Sequence, residues 1–64
     1  MIKVSGEKKI EMKIDRNMKI SEIEKQLGIS DDSYMVVVNG KPCMNDEEIS
    51  DKDDVVFLEV FSGG

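Results

Sequence analysis

Sixty-four residues with 39% hydrophobic content allow one small core and leave no room for a second domain. Fourteen acids against nine bases give a net charge of −5, so there is no basic face for nucleic-acid phosphates. One cysteine and no histidine exclude a disulfide framework and the usual zinc spacings. The chain starts at Met1 without an apolar run long enough for a signal peptide or a membrane span. A cytoplasmic protein, monomeric on its own and free of membrane contact, is the expectation.

Ile2 and Val4 alternate with Lys3 and Ser5, and Gly6-Glu7-Lys8 follows as a turn. Residues 9–14 then alternate strictly, with Ile10, Met12 and Ile14 on one face. A period of two marks a half-buried strand, and two such runs around a short turn read as a hairpin. Residues 15–18 form a polar connection. From Ile20 the period changes: Ile20, Ile23 and Leu27 make one helical stripe. Ser21 and Glu24 have the spacing of a capping box, and Gly28 is placed to end the helix in a left-handed conformation.

After a polar loop, residues 34–38 are rich in β-branched side chains and read as a strand buried on much of both faces. Asn39-Gly40 signals a type I′ hairpin. Residues 41–44 would return, and Pro42 keeps that strand short or at an edge because it lacks an N–H. Residues 45–54 form an acidic connection with room for one helical turn at 46–49. Residues 55–60 are the last strand, apolar enough for a central place in the sheet. The order β-β-α-β-β-β predicts an α+β domain over residues 1–60 with one helix across a mixed sheet. Residues 61–64 would be a flexible tail, Phe61-Ser62-Gly63-Gly64.

Alternation turns Ile2, Val4, Val36, Val38, Val55 and Phe57 inward beneath Ile23 and Leu27. It turns Met35, Val37, Val56, Leu58 and Val60 to the opposite sheet face. An apolar set on a helix-free face is a candidate partner-docking patch. The tail is the second candidate. Glycine has no Cβ, so Gly63 and Gly64 pass where a side chain would clash. Four extended residues reach at most about 13–14 Å.

Other features carry less. Cys43 has no histidine to deprotonate it and reads as a small packing residue. The acids between residues 46 and 54 lack the glycine and glutamate positions of a calcium loop and read as a solvated segment. Met12, Met35 and Met44 read as core filler and surface patch rather than metal ligands. There is no base–nucleophile pair, so the chain is not expected to be an enzyme, and no bound metal or cofactor is expected.

The element order, the opening Met1-Ile2-Lys3-Val4, the helix at 20–27, Val36-Val37-Val38-Asn39-Gly40, Asp51-Lys52-Asp53 and Gly63-Gly64 together resemble the ubiquitin-like β-grasp sulfur carriers. These are the ThiS and MoaD type with their archaeal relatives, including small archaeal modifier proteins. The resemblance covers essentially the whole chain. Lys52 departs from the glycine common between the two acids. Ser62 departs from a common alanine, and Lys19 from a common threonine cap, so that Ser21 or Asn17 is expected to cap the helix.

The resemblance implies a β-grasp fold and a carrier acted on by other proteins. An ATP-using adenylyltransferase of the ubiquitin-activating type would join the Gly64 carboxylate to AMP, with Gly63 and Ser62 giving the tail access. A sulfur donor, a cysteine desulfurase or rhodanese-like protein, would then displace AMP to leave a thiocarboxylate. A sulfur-accepting synthase would use it in thiamin, molybdopterin or tRNA thiolation chemistry. Two alternatives stand beside this: a modifier joined to lysines through the same tail, and an interaction domain with an inert tail.

Overall fold

The computed structural model describes residues 1–6 and 9–60; the expected turn at Glu7 and Lys8 and the tail at 61–64 lie outside the described residues. The main sheet contains β1 (Ile2–Ser5), β2 (Ile10–Met12), β4 (Tyr34–Val38), β5 (Lys41–Pro42) and β7 (Val55–Glu59). Its order is β2-β1-β7-β4-β5. β7 pairs parallel to β1 and antiparallel to β4, so this apolar strand is central, as expected. The helix α1 (Ile20–Leu27) follows β3 (Met18–Lys19), which pairs with β6 (Glu48–Ile49) in a separate two-stranded ribbon. This is the β-grasp, α+β arrangement.

The register explains the core. Phe57 lies between Val4 and Val36, and Val55 between Ile2 and Val38. All six are buried, with Phe57 and Val55 wholly so. Ile20 and Ile23 of α1 are also wholly buried and belong to the same cluster. Met18 and Ile49, directly paired in the ribbon, add to it. Each alternating residue of the strands thus faces the helix side or the open side, and a one-residue slip would reverse the whole set.

The helix ends follow local chemistry. Gly28 takes φ 70°, and its N–H reaches Lys25 O while Ile29 N–H reaches Glu24 O, which is a Schellman motif. A Cβ at Gly28 would meet nothing within 4 Å. Gly28→Ala therefore isolates the backbone cost, expected at roughly 1–2 kcal/mol of stability by chemical denaturation, with the fold retained.

The start of α1 departs from expectation. The helix begins at Ile20, so Ser21 sits inside the first turn and Lys19 is the N-cap residue. Glu22, not Glu24, reaches back, accepting from the Lys19 N–H at 3.1 Å. Neither Ser21 nor Asn17 caps. Backbone carbonyls of a distant loop do much of that work: Ile20 N–H donates to Glu47 O at 3.0 Å and Ser21 N–H to Asn45 O at 2.9 Å. A turn at 44–47, closed by Glu47 N–H on Met44 O at 3.2 Å, presents those two carbonyls, and residues 48–49 form β6 where the helical turn at 46–49 is expected.

Two further expectations are refined, and the one for the hairpin turn holds. β4 buries one face only, since Val36 and Val38 are buried while Met35 is exposed and Val37 half-buried. The returning strand stops at Pro42, shorter than the expected 41–44. Asn39 and Gly40 both take positive φ, 52° and 83°, as a type I′ turn requires.

The turn at 50–53 closes with Asp53 N–H on Ser50 O at 3.1 Å and Ser50 N–H on Asp53 Oδ2 at 2.8 Å. Lys52 is not among the positive-φ residues, so glycine is unnecessary there. Asn39 locks the two turns together. Its side chain donates to Asp53 Oδ1 at 3.0 Å and accepts from Asp54 N–H at 2.9 Å.

Candidate functional site

The open face of the sheet is built from the residues that alternate with the core. Val56 sits between Lys3 of β1 and Val37 of β4, and Leu58 between Ser5 and Met35. Met35, Leu58 and Val60 are exposed at 47%, 40% and 39%, whereas Val37 and Val56 are half-buried. Lys3 pairs with Glu11 of β2 at one flank, and Pro42 pairs with Val37 at the other. The result is an apolar strip with charge along the β1–β2 side.

Val60 donates its N–H to Ser33 O at 2.8 Å, just beyond the pairing of Glu59 with Tyr34. That bond fixes where the chain leaves the sheet. Residues 61–64 follow from this point, and Ser62, Gly63 and Gly64 lie outside the described residues. The exit borders the same strip, because Val60 and Leu58 belong to both.

Cys43 is half-buried, packs against the core and donates its N–H to Val36 O at 3.0 Å. The Glu47 carboxylate, which holds the thiol by a hydrogen bond, pushes its pKa up, with burial adding to the effect. A raised pKa keeps the thiol protonated, the opposite of what a nucleophile needs.

Two carboxyls move in opposite directions. Asp53 is held below its ordinary 3.8 by hydrogen bonds from the Ser50 backbone and the Asn39 side chain. Glu24 is raised above its ordinary 4.5, first by burial and then by the charge of Asp31. For Asp53 the stabilisation is complete above 3.8 and is lost as pH falls through the lower folded value. For Glu24 the folded state binds the extra proton, so stability falls as pH rises from 4.5 through the raised folded value. Glu24→Gln should remove the second loss and leave the acid limb intact. Urea midpoints measured across that pH range for both proteins check this.

Glu24 departs from the sequence expectation. The Ser21–Glu24 spacing predicts a cap, yet Glu24 is 5% exposed with Oε2 shielded and unpartnered among the described residues. The signal was present: Glu24 is four residues after Ile20 and three before Leu27, inside the apolar stripe.

A β-grasp sheet around an apolar central strand, with one helix on one face and an open apolar strip on the other, is the architecture of ubiquitin-like proteins. The chain matches the family model of small archaeal modifier protein 2 over residues 1–61 and belongs to that family. It is thus a ubiquitin-like modifier or sulfur carrier of the kind that acts with activating enzymes. Among the described residues, no helix is long and apolar enough to cross a membrane.

Proposed function

We propose that Gly64 supplies the reacting carboxyl and that Gly63 and Ser62 carry it into the site of a separate ATP-using enzyme of the ubiquitin-activating type. A carboxylate is a poor electrophile at neutral pH, since its charge repels nucleophiles and its oxygen leaves badly. Attack on the α-phosphate of ATP gives an acyl adenylate and pyrophosphate, and AMP is then a good leaving group. A persulfide from a desulfurase or rhodanese-like donor displaces AMP. A second thiol cleaves the resulting acyl persulfide, leaving the Gly64 thiocarboxylate for a sulfur-accepting synthase. Thiamin, molybdopterin and tRNA thiolation are the pathway classes this chemistry serves.

The observation that carries this reading is the apolar strip reaching the point where the chain leaves β7. Ordering a diglycine arm costs backbone entropy, roughly 1–2 kcal/mol per residue. A docked face beside the arm offsets that cost. Met35, Val37, Val56, Leu58 and Val60 are the proposed docking residues. Leu58→Glu is expected to weaken activation by about tenfold, the loss of one interface anchor of roughly 1–2 kcal/mol. Its unfolding midpoint should stay near wild type, because the side chain faces away from the core. Loss of the fold would place Leu58 in the core and overturn the docking role.

A second reading shares the activation step and is favoured by the family's description as a modifier. In it a lysine amine, not sulfur, attacks the activated carboxyl and an isopeptide bond forms. One experiment separates the two. The protein is incubated with host extract, ATP and a sulfide source, and intact masses are recorded. Exchange of one oxygen for sulfur supports the carrier. Adducts on other proteins' lysines support the modifier. An unchanged mass with no adducts refutes both and leaves an interaction domain with an inert tail.

A further inference from the structure

A cavity of about 260 Å³ opens between the end of α1 and the sheet edge. Its existence follows from the topology. β5 pairs only with Val37 and Val38, so the first part of β4 has no strand beside it on that edge among the described residues. The volume is below the range of drug-sized pockets and suits a single side chain.

Glu24 lines this cavity. Its Oε2 is shielded from solvent and has no partner among the described residues. An ionised carboxylate in that position carries a desolvation cost that a proton, a hydrogen-bond donor or a cation relieves. Asp31 stands on the rim, with Oδ2 accepting from Asn45 Nδ2 at 3.1 Å. No lysine or arginine among the described residues lines the cavity. Met35 and Met44 supply apolar walls, and Met44 is 71% exposed, so it turns aside without breaking a packed contact. The chain as a whole carries −5, which favours approach by a basic surface.

We propose that this cavity receives one lysine or arginine side chain from a protein partner, its charged end pairing with Glu24 and Asp31. The aliphatic stem lies along Met35 and Met44, as long basic side chains do on apolar surfaces. Met35 is shared with the open face, and the cavity shares its end of the sheet with the exit of β7, through the Ser33–Val60 bond and the Tyr34–Glu59 pair. A partner seated at that end is therefore in reach of the cavity. Recognition here does not depend on the chemistry of the tail.

Amide and side-chain NMR titrations of the full chain test the site with four probes. These are acetylated, amidated tripeptides of glycine, a central residue and glycine, in which the central residue is lysine, arginine or norleucine, together with n-butylammonium chloride. The lysine or arginine peptide should give saturable shifts at Glu24, Asp31, Met44 and Asn45. Affinity should fall at least about tenfold in Glu24→Gln, the loss of one charge-assisted contact. Should Glu24→Gln not fold, Asp31→Asn serves the same comparison from an exposed position. Equal binding of the norleucine peptide would make the cavity merely apolar and overturn the proposal. So would n-butylammonium binding without either basic peptide, binding unchanged in both variants, or no saturable shift.

Discussion

Phe57→Ala is expected to unfold most of the protein at 25 °C. Phe57 is wholly buried on the central strand, between Val4 and Val36, and is the largest of the fully buried side chains. Truncating such a phenylalanine costs about 3–5 kcal/mol, because transfer free energy is lost and a cavity remains. A single core of this size supplies only about 3–5 kcal/mol in total. The loss equals the reserve, so collapse of amide dispersion in the NMR spectrum is the expected result, with no cooperative urea transition. Cavity relaxation would not rescue it, since the residues around Phe57 are themselves fixed by three paired strands. A variant retaining wild-type dispersion and midpoint would show that the stability resides elsewhere, in the β3–β6 ribbon or α1.

The contrast between what was legible and what was not has a physical basis. Asn39-Gly40, Gly28 and the alternation of β1, β4 and β7 were readable because each is dictated by backbone geometry within a few residues. Positive φ at a turn and a period of two along a strand need no knowledge of the rest of the chain. The β3–β6 ribbon was not readable. Two-residue strands have no period, and the pairing of Met18 with Ile49 spans a long stretch of chain. The same distance hid the cap of α1: Lys19 is a poor cap residue by type, yet the Asn45 and Glu47 carbonyls complete the helix start. Glu24 failed for another reason. Its spacing with Ser21 matches a local capping motif, and the same position also falls in the apolar stripe, where packing against the core decides its place. Of the candidate site, the facing of Met35, Leu58 and Val60 came from alternation alone, whereas the cavity beside Glu24 depends on where β5 stops.

Deletion of Gly64 should reduce activation to background while leaving the fold untouched. The argument is geometric. Removing one residue retains a terminal carboxylate, now on Gly63, but withdraws it by about 3.3–3.6 Å. In-line attack on a phosphate tolerates far less, with a misplacement of about 1 Å costing roughly 100-fold. The described structure ends at Val60, anchored by its N–H to Ser33, and the described bonds of the sheet all lie within residues 1–60. ATP–pyrophosphate exchange with the activating enzyme, run beside thermal unfolding, reads both quantities. The expected pair is exchange indistinguishable from the enzyme alone and an unchanged midpoint. Gly64→Ala sharpens the reading, because it restores the carboxylate's position and adds only a Cβ. Partial exchange with that variant would separate a tight channel from a misplaced carboxyl. Wild-type exchange from the shortened chain would remove Gly64 from the chemistry and leave the apolar strip as a docking face of another kind.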